Sequence, residues 1–467
     1  MLLVMLHKRR RGRRRYAKAE KNTPMVVSNR FDLWLALFGG YNRRSFSRLS
    51  RYTGIVGYPM KQTFLMRNGL LRRSVLFIAL GCVAAGGALA ESQPEAALDR
   101  ETLLLASLGD LRQNQMNGAV EKLKALVDQQ PDFRLAQLIY ADLLAAQGAP
   151  LSVVGNNGNG DKKVLEGLIS EARARMSLEG RKPVAGMIPS SLLKMSADQE
   201  HVIVVDIQYS RLFLFENQNG VPVLIKDYYV SYGRGGINKR IRGDLRTPLG
   251  VYFTTGRLDD EQLPPRYGTG ALPINYPNAW DVRQGNTGSG IWLHGSPKDT
   301  FSRPPKASEG CISLTNGHFT ELDGIVDFNA TPVLIGASFD WIDQASWEKK
   351  QQSFTQLVEG WRADWQSLNA DSYLAHYSPS FNNGEQDYAR FSAHKRRVNG
   401  SKSFINVELE DLSIYQYPDN PDLFVATFVQ KYSSDNYSGS DVKRQYWVKE
   451  NEQWKIAYEG APQRGIP

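Results

Sequence analysis

One stretch of this sequence, residues 291–316, limits the possible folds and functions more than any other. It reads IWLHGSPKDTFSRPPKASEGCISLTN. The apolar run before His294 is typical of a short buried strand, and three prolines then exclude helix and central strand. Gly310 permits a backbone turn that a side chain would resist, directly before Cys311. We therefore expect a strand that presents His294 at its end, a loop, and a turn that exposes Cys311 at a cleft.

The chain has two cysteines, and the other one, Cys82, lies in a segment that we expect to be removed. The mature protein would then have a single thiol, which excludes a disulfide within the chain. A thiol attacks carbonyl groups as its thiolate, and an imidazole within hydrogen-bond reach can take the proton. Backbone amides around Gly310 and Cys311 could stabilise the developing oxyanion. The alternative, in which Cys311 is a small buried apolar residue and His294 a satisfied polar one, stays open on these residues alone.

Four motifs in this part of the chain resemble a known family. His294-Gly295, a loop, and then Ser308-x-Gly310-Cys311 resemble the signature of the L,D-transpeptidase catalytic domain of the YkuD type. The resemblance extends to residues 202–215 (VIVVDIQYSRLFLF), 246–252 (RTPLGVY) and 273–281 (PINYPNAWD). These motifs occur in the family's order and cover about 140 residues, so we expect a β-rich catalytic domain over residues 199–338.

The resemblance implies a cysteine enzyme that acts on peptidoglycan stem peptides. Cys311 would attack the carbonyl of the third stem residue and form a thioester, with His294 as general base and then general acid. Gly310 would contribute to the oxyanion site, and the Gly295 carbonyl or Ser296 would orient the imidazole. The matching segments and the loop also supply candidate substrate-binding residues, which are Arg303, Ser308, Glu309, Ser313, Tyr276 and Asn278. No cofactor and no metal site is implied.

The sequence departs from the family pattern at two positions. Many members have His where this chain has Glu309, and Arg where it has Ser313. The subgroup with Ser-(Glu/Asp)-Gly-Cys resembles peptidoglycan carboxypeptidases and amidases more closely. Transpeptidation and hydrolysis of the same thioester therefore remain alternatives, and a cell-wall-binding scaffold without turnover is a third.

The charge distribution excludes a nucleic-acid footprint on the folded part of the chain. Residues 1–90 hold 18 Lys and Arg against 2 Asp and Glu, whereas the rest of the chain holds 39 basic and 46 acidic residues. A folded region with net negative charge lacks the basic surface that nucleic acids require. We expect no nucleic-acid partner.

The amino-terminal region contains a predicted signal peptide at residues 66–90. Arginines precede an apolar run, and Ala88-Leu89-Ala90 fits the small-x-small cleavage pattern. We therefore expect a protein of the periplasm or cell envelope that meets the membrane only through this segment before cleavage. Residues 1–65 would be a misassigned start or a disordered basic arm.

The expected fold class is multidomain α+β, with smaller domains on both sides of the catalytic domain. Within residues 91–150, apolar spacing predicts two helices, near 118–127 and 134–147, that resemble a tetratricopeptide pair. The pair must pack on the catalytic domain or on a protein partner. Residues 151–198 are expected to be a Gly/Asn-rich linker, a helix over 162–177 and an extended lead-in.

The carboxy-terminal region, residues 341–467, has an aromatic-rich helical pattern followed by alternating strands. This order resembles a nuclear-transport-factor-two-like cone, which often forms homodimers. Its aromatic side chains are typical of a core, and no pair of candidate catalytic residues occurs there.

Overall fold

The computed structural model describes residues 99–148, 155, 161–177, 186–327 and 330–462. The predicted signal peptide, residues 1–65 and most of the predicted linker lie outside these ranges. In the part of the chain that is described, no helix is both long and apolar enough to cross a membrane.

The helices fall into an amino-terminal group, two short helices in the central domain, and a carboxy-terminal group. In chain order they are α1 Arg100–Arg112, α2 Met116–Gln129, α3 Arg134–Gly148, α4 Lys162–Ser177, α5 Ala279–Arg283, α6 Asn316–Asp323, α7 Gln344–Gln366, α8 Ala370–Leu374 and α9 Tyr388–Asn399.

The strands form two sheets in the central domain, one in the carboxy-terminal domain, and two small pairs. In chain order they are β1 Ile188–Pro189, β2 Leu192–Lys194, β3 His201–Asp206, β4 Arg211–Gln218, β5 Val221–Tyr229, β6 Tyr232–Gly233, β7 Gly250–Phe253, β8 Leu258–Asp259, β9 Gly270–Pro273, β10 Trp292–His294, β11 Lys306–Ser308, β12 Ile312–Ser313, β13 Pro332–Gly336, β14 Trp341–Ile342, β15 Ile405–Tyr417, β16 Asn420–Ser434, β17 Tyr437–Glu450 and β18 Gln453–Gly460.

The amino-terminal helices pack around one apolar core. The two predicted helices correspond to α2 and α3, and the helix predicted over residues 162–177 is α4. The structure adds α1, which precedes the two predicted helices. Leu104 and Leu108 of α1 are buried with Leu123 and Leu126 of α2, and Ala172 of α4 joins the same cluster. The pair buries its apolar face against α1 and α4, as a single helical hairpin cannot do alone.

The central domain is built on a five-stranded sheet in the order β5-β4-β3-β13-β7 and a four-stranded sheet in the order β12-β10-β9-β8. Residues 202–215, which carried part of the resemblance, lie in the antiparallel pair β3 and β4. Side chains alternate along β3, so Ile203 and Val205 face the core shared by the two sheets. Val202 and Val204 face the opposite way, towards the carboxy-terminal domain. Burial on both faces explains why β3 is a continuous apolar run.

The carboxy-terminal domain is a five-stranded antiparallel sheet in the order β18-β17-β16-β15-β2, packed against α7. The first of its long strands, β15, has an irregularity between Glu410 and Ser413 in its pairing with β16. Strand β2 joins this sheet by pairing with β15, and β1 pairs with β14. The segment predicted to be an extended lead-in therefore forms part of the carboxy-terminal fold.

Candidate active site

Strand pairing places His294 beside the segment that carries Cys311. Strand β10 runs parallel to β12, with Leu293 opposite Ile312 and His294 opposite Ser313. Leu293 and Ile312 both lie in the core cluster. Because successive side chains alternate, His294 and Ser313 lie on the other face of these neighbouring strands, and Cys311 directly precedes β12. The strand predicted to end at His294 is confirmed.

The imidazole of His294 is held in one tautomer. Its Nδ1 lies 2.6 Å from the Gly295 carbonyl oxygen, which can only accept, so Nδ1 carries the proton. The ring is 2% exposed and packs edge-on against Tyr267, with 5.0 Å between ring centroids. Burial lowers the pKa of His294 to about 4, because the low-dielectric surroundings disfavour the charged ring. The neutral ring therefore keeps an unprotonated Nε2 that can act as a base.

Cys311 is buried rather than exposed at a cleft, so the predicted exposure is wrong. The residue is 7% exposed, and its Sγ lies 3.4 Å from the Gly290 carbonyl oxygen. Burial raises the pKa of the Cys311 thiol to about 11, although the Trp292 amide and the cation of Arg303 act in the opposite direction. Its surroundings include polar groups and charges, unlike a thiol enclosed in hydrocarbon.

The turn before Cys311 needs glycine, as the sequence predicted. Gly310 has φ +128°, in the region that side chains disfavour. Its N–H donates to Ser308 Oγ at 3.1 Å, and its carbonyl accepts from Thr247 Oγ1 at 2.8 Å. Ser308 Oγ in turn donates to the Cys311 carbonyl at 2.6 Å. Both Ser308 and the Gly310 amide are therefore engaged within the turn, and their contacts fix the backbone that carries the thiol.

The residues around His294 divide into those that orient it and those that do not. The Gly295 carbonyl accepts from both His294 Nδ1 and Ser313 Oγ, the latter at 3.2 Å. Ser296 Oγ instead donates to the Leu314 carbonyl at 2.7 Å. Gly295 is thus the orienting group of the two that were expected, and Ser313 supports the same carbonyl.

Two candidate substrate-binding residues are placed inside the protein. Tyr276 belongs to the central core, and its hydroxyl donates to the Thr287 carbonyl at 3.3 Å. Asn278 is the N-cap of α5, and its Nδ2 donates to the Val251 carbonyl and to the Tyr417 hydroxyl. These contacts give both side chains structural roles, so we leave them out of the proposed substrate site.

Charged residues surround the thiol. Arg303 interacts electrostatically with Cys311 and Glu309, and its Nη2 donates to the Ala307 carbonyl. Glu309 forms an ion pair with Arg234 at 3.0 Å, with both side chains more than half exposed. Arg234 and Arg303 are therefore the cations that an acidic ligand could reach near Cys311.

Three interactions of the site could not be predicted from the sequence because they join distant segments. The Trp292 amide acts to lower the pKa of the thiol, Thr247 donates to the Gly310 carbonyl, and Tyr267 packs on the imidazole. Thr247 lies in the TPLG motif that carried part of the resemblance, and this was the available signal. Nothing in the local pattern around Tyr267 distinguishes it from a surface aromatic residue.

The buried thiol leads to a direct prediction for alkylation. Below pH 9, a shift in pKa from 9.0 to about 11 leaves about a hundredfold less thiolate than an ordinary cysteine has. We expect the rate of Cys311 carboxamidomethylation by iodoacetamide to rise with pH up to about 11, and the denatured protein to return to an ordinary profile. A midpoint near pH 8 in the folded protein would contradict this account.

The fold and this Cys/His arrangement define a β-rich domain of the kind found in cell-wall transpeptidases. Residues 200–335 match the family model of the L,D-transpeptidase catalytic domain, YkuD. Residues 353–460 match the Cds6 C-terminal NTF2-like domain. The chain therefore contains an L,D-transpeptidase catalytic domain followed by an NTF2-like domain, the combination that the resemblance implied.

Solved structures with the same architecture support this assignment. The structure of Bd1075 from Bdellovibrio bacteriovorus is 29% identical, with a TM-score of 0.53, and the match covers 59% of this chain and 100% of that one. The helical cell shape determining protein Pgp2 from Campylobacter jejuni is 23% identical, with a TM-score of 0.50, and the match covers 58% and 95%. At that identity Pgp2 is evidence for the fold alone. Comparison with curated protein sequences gave no match.

Proposed function

We propose that this protein cleaves peptidoglycan stem peptides through a thioester on Cys311, in the biogenesis or remodelling of the cell wall. The observation that carries the proposal is the neutral imidazole of His294, fixed with Nδ1–H on Gly295 and lying on β10, which pairs with the strand directly after Cys311. An imidazole held in this tautomer offers Nε2 as the base that a protonated thiol requires. A binding scaffold would not need this arrangement.

The proposed reaction begins from a protonated thiol. In the resting state Sγ–H is directed to the Gly290 carbonyl. On substrate binding the proton passes to His294 Nε2 as Sγ attacks the carbonyl carbon of the third stem residue. The carbonyl electron pair moves onto oxygen, and we assign the stabilising donor to the Cys311 amide, since the Gly310 amide is bonded to Ser308. The intermediate collapses to the thioester as His294 returns the proton to the departing amine.

The second half of the reaction has two candidate acceptors. An amine of another stem would give transpeptidation, and water would give carboxypeptidase or amidase activity. The sequence Ser308-Glu309-Gly310-Cys311 favours the hydrolytic subgroup. In either case we assign Arg303 and Arg234 to carboxylates of the stem peptide, because guanidinium groups bind carboxylates in two parallel hydrogen bonds.

Product analysis tests the proposal and separates the acceptors. The purified protein is incubated with disaccharide-tetrapeptide, and the products are resolved by liquid chromatography and mass spectrometry. Tripeptide with free D-alanine indicates hydrolysis, whereas cross-linked dimers indicate transfer. A carbapenem should add its mass to the peptide containing Cys311. Absence of both products and of the adduct would contradict the proposed function.

The place of action follows from the same proposal. Peptidoglycan stems lie outside the cytoplasmic membrane, so we propose export through the segment at residues 66–90 to the periplasm or cell envelope. Fractionation of the native protein, with sequencing of its amino terminus, would test this localisation.

A further inference from the structure

The amino-terminal helices contact the loop that joins β10 to β12, residues 295–310, here called the His–Cys loop. Phe301 packs against Phe133 with 4.5 Å between ring centroids, and it joins the apolar cluster of the helical region. Ser302 Oγ donates to Glu171 Oε1 of α4 at 2.7 Å. The helical region, which lies outside both matched family ranges, thus packs against the His–Cys loop.

A buried ion network holds α4 and α1 against the central domain. Glu101 of α1 accepts from Arg211 at 2.6 Å and pairs with Arg175 at 3.2 Å. Arg175 also donates to Glu171, the residue that binds Ser302, at 2.9 Å. Glu101, Glu171, Arg175 and Arg211 are each at most 6% exposed. Charges buried to this extent require partners in fixed positions, so the network sets where Glu171 meets the loop.

The same ion network is also connected, through Tyr229, to Arg303, the next residue of the loop. The Arg175 guanidinium stacks on Tyr229, with 3.9 Å from Cζ to the ring centroid. The Tyr229 hydroxyl and Ser231 Oγ each donate to the Arg303 carbonyl at 2.9 Å. Ser302 is therefore held through its side chain, and Arg303 is held through its backbone carbonyl.

Arg303 is the loop residue whose cation acts on the thiol. Its guanidinium interacts electrostatically with Cys311, Glu309 and Arg234, and its Nη2 donates to the Ala307 carbonyl within the same loop. A small movement of residues 302–303 would change the distance between this cation and a ligand bound next to Cys311. Arg303 directly follows Ser302, whose side chain contacts a part of the chain that both family models leave unmatched.

We infer that Glu171, held by Arg175, is a positioning residue that sets Arg303 for the carboxylate of the substrate, so the helical region is an integral part of the substrate site. This inference rests on the proposed function. Breaking the hydrogen bond between Ser302 and Glu171 should weaken binding of the stem peptide and leave the thiol chemistry largely intact.

The least disruptive test is Ser302→Ala, which leaves the buried ion pairs in place. We expect KM for disaccharide-tetrapeptide to rise about three- to tenfold, with kcat within about twofold, because one hydrogen bond to a charged acceptor is lost. Ser302→Thr keeps the hydroxyl and should restore KM. In an Arg303→Gln background, KM is expected to be raised already. Adding Ser302→Ala should raise KM by less than about a further 1.5-fold, because both changes act through the Arg303 cation.

A second variant approaches the loop from the helical side. A Cβ on Gly167 of α4 would lie 2.9 Å from Pro304 Cγ, so Gly167→Ala should displace the loop and raise KM in the same way. Gly109→Ala in α1 is the matched control, since nothing lies within 4 Å of its Cβ position.

The inference is overturned if Ser302→Ala and Gly167→Ala both leave KM unchanged, or if Arg303→Gln does. Failure of the proposed function is distinguishable, because the wild-type protein would then form no product or Cys311→Ala would still turn over substrate.

Discussion

Cys311→Ala is expected to remove turnover of stem peptides entirely, at least about a thousandfold in kcat. Without the thiol no thioester can form, and neither His294 nor the oxyanion donor has a nucleophile to assist. The side chain is small and lies in a site with polar neighbours, so we expect the unfolding temperature to change by only a few degrees. Liquid chromatography of the products and a thermal melt measure both quantities on one preparation.

Two further variants sharpen this result. Cys311→Ser keeps a nucleophile of similar size but with a far higher pKa, and it should be nearly as inactive as alanine. Adding His294→Ala to Cys311→Ala should cost little more, since the two residues act as one unit. Turnover above about 1% of wild type in Cys311→Ala would exclude the thioester mechanism.

The secondary structure around the site could be predicted from the sequence, because local sequence patterns determine it. An apolar run ending at His294 predicts the strand β10, and glycine before Cys311 predicts the turn whose φ is +128°. The family motifs predicted the order of the segments. These features depend on residues close together in the chain, where periodicity and turn chemistry are informative.

The burial of the thiol could not be predicted in this way. It depends on pairing of β12 with β10 and on the bridge between Ser231 and Ser313, which lie 82 residues apart. Asn278 shows the same limit, because its partner Tyr417 belongs to another domain. A polar residue in a matched motif can serve the substrate or the fold, and only long-range contacts distinguish these roles.

The pairing of β2 with the carboxy-terminal sheet could not be predicted for a related reason. Three residues, Leu192–Lys194, are too few to carry a recognisable strand pattern, and they become a strand only by pairing with β15. Trp347 of α7 then donates its indole N–H to the Leu192 carbonyl. The central and carboxy-terminal domains consequently share a core, which no local sequence pattern indicates.

Gly310→Ala is expected to lower both stability and activity strongly while leaving every other side chain of the site unchanged. An alanine here would have to adopt φ +128°, and its Cβ would lie 2.8 Å from the Arg246 carbonyl oxygen. Backbone strain and this contact together should lower the free energy of unfolding by about 2–4 kcal/mol. Chemical denaturation of the full chain measures this loss.

The effect on activity should be larger than the effect on stability. Relief of the contact has to move the turn, and the turn holds the thiol through the bonds of Ser308 and Thr247. Because a displacement of about 1 Å can cost a hundredfold in rate, we expect kcat/KM to fall by about a hundredfold or more. Gly317→Ala is the matched control, since Gly317 lies in α6 and nothing is within 4 Å of its Cβ position. Equal activity of the two variants would mean that the turn does not set the position of the nucleophile.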